Sequence, residues 1–234
     1  MPENNAKRIV CLANSRKLGG RCVAGREAFA PGSYGGWIRP VSGRQGAAVS
    51  LEERRYQDGT DPQVLDVINI QMIGPAPRLH QTENHLLNDQ FYWQREGAVT
   101  FSDLPSLLDS PTALWINGHS SSNGVNDYVT SVQAATITNS LFLIQPTQLS
   151  IRVQTEGGGL YTTKRCVRAD FQYNRTPYRF MVTDPTIEAQ FLAAQNGVYM
   201  VNHAYLCVSL GEPFDQDGRC YKLIATIISE TPLR

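Results

Sequence analysis

Residues 177–229 read PYRFMVTDPTIEAQFLAAQNGVYMVNHAYLCVSLGEPFDQDGRCYKLIATIIS. The first eight, PYRFMVTD, are aromatic and β-branched and predict a strand. Asp184 before Pro185 is an N-cap followed by a first-turn proline, PTIEAQFLAAQ predicts a helix, and Gly197 fits its C-terminal stop. AYLCVSLGEPF and CYKLIATIIS predict two more strands. Upstream, SLFLIQPTQLSIRVQT and TTKRCVRADFQY predict another pair, joined by EGGGLY, whose glycines tolerate the positive φ of a hairpin. Three strands, a helix and two strands is the order of an OB-fold, a small Greek-key barrel that binds oligonucleotides or oligosaccharides on one face.

The first half of the chain repeats that order. KRIVCLA, RCVAGREAF and GGWIRPVS read as short strands, Ser50 with Glu53 forms a capping-box pattern opening the helix SLEERRY, and the strand VLDVINIQMI follows. An offset of 141 superposes Trp37 on Tyr178, Val41 on Val182, Ser42 on Thr183, Leu65 on Leu206 and Val67 on Val208, which predicts that strand three, helix and strand four keep step in both halves. The expected fold is mainly β with short helices: two tandem OB-like five-stranded barrels with a helical insertion between them. Residues 1–138 form the first barrel with that insertion, and residues 139–234 the second. FYWQREG is the candidate fifth strand of the first barrel. Within the insertion, about 102–117, Ser102 and Ser110 are candidate caps and Pro111 a first-turn residue.

Composition bounds the function. The chain has 234 residues, 41% hydrophobic and 18% charged, enough apolar content for packed cores and too much for wholesale disorder. No apolar run reaches the ~20 residues of a spanning helix, and the N-terminus lacks the apolar stretch of a secretion signal, so a cytoplasmic protein without a membrane partner is expected. Lys plus Arg equals Asp plus Glu at 21 each, which removes any global field for polyanions. Charge is nonetheless uneven: residues 1–50 carry +6, residues 51–150 carry −7 and residues 151–234 carry +1. That pattern fits either a basic binding face with an acidic flank or segments that pair internally or across a dimer. The five cysteines show no CxxC spacing, and four sit in apolar or alternating runs as small hydrophobes.

The string KRIVCLANSRKLGGRCVAG, followed by GGWIRPVS, LDVINIQM, QTENH, ALWINGHSSSNGVND, VTDP and CYKLIAT, resembles the bacterial dual-OB domain family over nearly the whole chain. The resemblance implies the doubled barrel and binding of nucleic acid or nucleotides, for some members in bacterial conflict settings. It supplies no catalytic residues.

Candidate binding residues fall in two groups. In the first barrel, Arg16, Lys17 and Arg21 surround the Gly19–Gly20 turn, and Trp37 and Arg39 share one face of a strand by period-two alternation. Cations for phosphates beside an aromatic face for bases are what single-stranded nucleic acid requires. The opposing reading makes Trp37 core and Arg39 a bridge to an acid in residues 51–150. In the second barrel, Lys164, Arg165 and Arg168 precede Phe171, Tyr173 and Tyr178. There, alternation divides the cations between two faces, so core aromatics with a solvated charged face are expected. The loop Ser120–Gly124 with Asn126 has small residues able to cradle a phosphate but lacks the P-loop pattern, and reads as a surface turn. Asn84, Gln81 and Glu83 offer base-like hydrogen-bonding groups that equally suit fastening the insertion to the barrel.

No cofactor or metal is expected, because His80 and His85 lack helical metal spacing and His119 beside Ser120 is no triad. The residues point to a non-catalytic protein binding single-stranded nucleic acid or a nucleotide ligand. The alternative is a protein-interaction or scaffold subunit with a protein partner or a second copy of itself.

Overall fold

The computed structural model describes residues 5–30, 32–158, 161–231 and 233, with Gly158 and Tyr161 by backbone alone. The expected EGGGLY connection therefore lies partly outside the described residues. The chain forms two compact units, Met1–Leu107 with Thr138–Ser140, and Leu108–Ile137 with Leu141–Arg234. This division differs from halves at 138/139: residues 108–137 pack with the second unit rather than the first.

The first unit contains β1 (Ala6–Lys17), β2 (Gly20–Ala30), β3 (Ser33–Val41), helix α1 (Leu51–Arg54), β4 (Asp66–Pro75), β5 (Asn84–Leu87) and β6 (Gln94–Ala98). One end of β1 pairs antiparallel with β4 and the rest with β2, and β3 pairs parallel with β5, so the ring β1-β2-β3-β5-β4 closes. Alternate residues point inward. Ile9, Cys11, Val23, Ile38, Ile68, Ile70, Met72 and Leu87 fill the barrel, and Val49, Tyr56 and Trp93 join the same core. β1 bulges between Cys11 and Ala13, opposite Gly25, where an added Cβ would stand 2.0 Å from the Val10 carbonyl oxygen. Glycine is the residue that permits that approach.

The second unit holds β7 (Tyr128–Val129), α2 (Ser131–Ala134), β8 (Leu141–Ile144), β9 (Thr147–Gly158), β10 (Tyr161–Tyr173), β11 (Thr176–Val182), α3 (Pro185–Ala193), β12 (Gly197–Met200), β13 (Ala204–Pro213) and β14 (Cys220–Ser229). β11 pairs parallel with β14, the counterpart of β3 with β5. The single strand expected at SLFLIQPTQLSIRVQT is split at Gln145–Pro146, where proline has no N–H for a ladder. β8 pairs with β13 and β9 with β10, the two roles that unbroken β1 fills in the first barrel. Phe171, Tyr178, Phe180, Val182, Ile187 and Phe191 lie in the core. Asp184 caps α3 through the N–H groups of Thr186 and Ile187, as its sequence predicts.

Four local expectations change. FYWQREG is not the fifth barrel strand; that strand is β5, NHLL, and residues 94–98 form β6 against β4. A four-residue strand beside a polar run carries too little alternation to be recognised. Helical structure in the insertion is confined to a 3-10 segment, Phe101–Leu107, capped by the Asp103 carboxylate on the Thr100 N–H, and Pro111 starts no helix. α3 ends at Ala193, so Gly197 begins β12 instead of stopping the helix. Finally, the 141 offset aligns the third strands but reverses their faces: Tyr178 points into its barrel, whereas Ile38, not Trp37, points into the first. α1 and α3 do not keep step at that offset.

Candidate functional site

Turn geometry assembles a half-buried aromatic cluster in the second unit, with Phe214 exposed at its side. The link from β13 to β14 is closed by Phe214 N–H to the Arg219 carbonyl at 2.9 Å and Gly218 N–H to the Phe214 carbonyl at 2.7 Å, with Gly218 left-handed at φ +68°. The Asp217 carboxylate accepts the Arg219 N–H at 3.0 Å and the Tyr221 hydroxyl at 2.8 Å, fixing the turn to β14. Partial burial pushes the Asp217 carboxyl up, but these two donors outweigh it and hold the group below its ordinary range. β7 pairs with β14 and sets Tyr128 beside Tyr221, ring centroids 6.0 Å apart. His119 stacks on Tyr128 at 5.3 Å and 26°, the Arg219 guanidinium lies 4.5 Å from the Tyr128 centroid, and Phe214 meets Tyr221 edge-on at 6.1 Å. Phe214 is 47% exposed. The cluster therefore sets exposed Phe214 and the Arg219 cation, on the loop between the fourth and fifth barrel strands, beside the half-buried rings of Tyr128, Tyr221 and His119, and that loop is one of the positions at which OB barrels take ligands.

Beneath this cluster, residues 114–127 are bound to the barrel. Leu114 N–H and the Asn117 side-chain amide donate to the Tyr178 hydroxyl, and Val125 and Arg179 exchange backbone hydrogen bonds. The Asp127 carboxylate accepts the Ser121 N–H at 2.7 Å and the Ser121 hydroxyl at 2.6 Å. Ser121 thus serves an internal carboxylate and the Gly124 N–H donates to the Ser121 carbonyl, which explains the turn without an external phosphate.

The residues singled out in the sequence are dispersed. Arg16 pairs across the β1–β2 hairpin with Arg21, and Lys17 with Gly20, so these three cations do gather around the Leu18–Gly19 turn. Gly20 lets Val49 approach: a Cβ there would lie 2.3 Å from the Val49 carbonyl oxygen. Arg16 is exposed, while Lys17, Arg21 and Trp37 are half-buried. Trp37 faces Arg26, whose guanidinium carbon lies 5.8 Å from its ring centroid. Arg26 stands five residues along β2 from Arg21, about 16 Å at ~3.3 Å per residue, so Trp37 lies beside the middle of the ribbon, away from the hairpin cations at its end. Arg39 lies outside the barrel wall yet is only 3% exposed. It forms an ion pair with Glu83 at 2.8 Å and donates to Asn84 at 3.1 Å and Ser140 at 2.7 Å, so it is a buried strut rather than part of an open groove. Asn84 and Glu83 are likewise occupied by this cluster.

Of the three second-barrel cations singled out in the sequence, Lys164 is exposed and has no such tie among the described residues. Arg168 is buried and grips Glu156 with two hydrogen bonds, 2.6 and 2.9 Å. Burial pushes the Glu156 carboxyl up, and the Arg168 hydrogen bonds and charge overcome it, leaving it lowered. Arg165 donates to the carbonyls of Leu192 and Ala194 and to Asn196, closing the C-terminal end of α3. Phe214, Tyr221, Tyr128 and Arg219 went unnoticed in the sequence because they come from separate strands, though DQDG next to Phe214 is a legible turn signal.

Both units carry five main strands in the OB order, which defines the chain as a protein of two OB barrels. A model of the dual OB-containing domain matches residues 7–227, and the chain belongs to that family. No curated protein and no solved structure matches it. Among the described residues, no helix is long and apolar enough to cross a membrane.

Proposed function

We propose that this protein binds single-stranded nucleic acid or a nucleotide without chemical change, as OB domains commonly do, and that the second-barrel platform is its principal stacking surface. The observation that carries this reading is the His119–Tyr128–Arg219 stack with exposed Phe214 at its side. A base needs a π-face, and a phosphate needs a cation close to that face. The β1–β2 hairpin with Arg16, Lys17 and Arg21, the half-buried Trp37 and exposed Lys164 would supply further backbone and base contacts. The dual-OB resemblance favours a bacterial conflict setting.

Fluorescence polarisation with labelled single-stranded DNA, single-stranded RNA and duplex DNA, at low and physiological salt, tests it. Single strands should bind best and more weakly as salt rises. Phe214→Ala and Tyr128→Ala should each weaken binding roughly 5- to 150-fold, from ~1–3 kcal/mol per stacked base. Absence at low salt both of single-strand binding and of binding to labelled nucleoside triphosphates would refute the reading.

A scaffold role is favoured by one separate feature. β12 ends its sheet, and Val198 and Met200 on it are 50% and 68% exposed with no charged side chain in the strand. Such an edge can accept another strand. If the platform variants bind as the parent does and Val198→Lys abolishes a defined oligomer or complex, the scaffold reading replaces the first.

A further inference from the structure

Lys222 on β14 is 1% exposed, deep in the second barrel. Its ammonium nitrogen donates to the Ile116 carbonyl at 2.9 Å and to the Asn117 side-chain oxygen at 3.2 Å, and it lies 5.7 and 6.0 Å from the ring centroids of Tyr178 and Phe180. Its backbone N–H donates to the Asp127 carbonyl at 2.8 Å. One residue thus holds residues 114–127 near both ends. Both side-chain partners are neutral, and among the described residues no carboxylate forms an ion pair with Lys222.

The charged groups around it are already engaged. Asp127, the nearest opposite charge, takes both Ser121 donors and has Arg168 at 3.9 Å; Arg168 is gripped by Glu156. A lysine ammonium has three donors and a large hydration energy, whereas this site offers two neutral acceptors and two aromatic rings. We propose that Lys222 is a proton-operated clamp: the neutral amine stays closed within the barrel, and uptake of one proton from solvent at Nζ drives residues 114–127 off it, because only the opened form hydrates the ammonium.

Burial pushes Lys222 down to about 7 from an ordinary value of 10.5, against the upward pull of Asp127. The sign follows from proton linkage. Between those values the open form holds the proton and the closed form does not, so closure strengthens about tenfold per pH unit as pH rises. Below about 7 both forms are protonated and closure stays at its weakest. Residues 114–127 carry His119, so opening also separates His119 from Tyr128. That consequence for the ligand rests on the nucleic-acid reading; the clamp itself does not.

The full chain has four lysines, Lys7, Lys17, Lys164 and Lys222, so ¹³C-lysine labelling gives a small set of NMR signals, and Lys222→Met identifies the one of interest. The Lys222 signal should titrate near pH 7. Amide-exchange protection of residues 116–125, corrected for intrinsic rates, should be about fiftyfold higher at pH 9 than at pH 7, and independent of pH in Lys222→Met. A Lys222 midpoint above 9, or the same pH-dependence in Lys222→Met, would overturn the clamp. Should that variant not fold, Asn117→Ala must raise the Lys222 midpoint and reduce protection at pH 9; no change in either also overturns it. None of these readouts uses nucleic acid, so failure of the clamp and failure of the binding reading are separable.

Discussion

Arg39 gives the sharpest test of how the first barrel is built. Its ion pair with Glu83 spans 2.8 Å between side chains that are 4% and 6% exposed, and Ser140 hydrogen-bonds both partners. Arg39→Ala leaves the Glu83 carboxylate buried with its cation gone. Removing one partner of such a pair costs about 3–5 kcal/mol, most of it the stranded charge. For a unit of this size, at ~4 °C per kcal/mol, its unfolding should fall by roughly 12–20 °C. Calorimetric or urea unfolding measures this, and single-strand affinity is measured on the same protein at a temperature where it remains folded. The double variant Arg39→Met with Glu83→Met should be more stable than Arg39→Ala, because no buried charge is left alone. If Arg39→Ala unfolds like the parent and loses affinity, the strut assignment is wrong and Arg39 belongs to the ligand surface.

Two further outcomes test the frame. Since Arg168 holds Glu156 below its ordinary 4.5, the pair stabilises the second barrel above that pH, and the stabilisation is lost as pH falls through the lowered value; Glu156→Gln should flatten this acid limb in urea titrations at several pH values. Gly25→Ala drives a Cβ into the Val10 carbonyl and should destabilise the first barrel by ~1–3 kcal/mol or more, seen as a lower urea midpoint. An unchanged midpoint would mean the β1 bulge is not fixed as described.

Much of the fold was legible because it is written in local alternation and punctuation. Asp184–Pro185, the Ser50–Glu53 box and the long runs of β9, β10, β13 and β14 each carry their own signal, and together they give the OB order. β5 was missed because its placement depends on parallel pairing with β3, forty-odd residues away in sequence, and four residues hold no period of their own. The reversal between Trp37 and Tyr178 has the same root. One residue of slip in a strand alignment exchanges inside for outside, and only packing against the rest of the barrel reveals which face is which.

For the candidate site, composition supplied the types of residue and tertiary structure supplied their allegiance. Arg39, Arg165 and Arg168 look alike in sequence as cations beside aromatics, yet each is tied to a different internal partner: a carboxylate, a helix end and a second carboxylate. Phe214, Arg219, Tyr221, Tyr128 and His119 span about a hundred positions and meet because β7 pairs with β14. The sequence by itself determined a doubled β-barrel, since alternation, caps and turn residues act within a few positions. Which charges face water and which are locked inside was decided only by the fold, because charge pairing and burial depend on neighbours brought together across the chain.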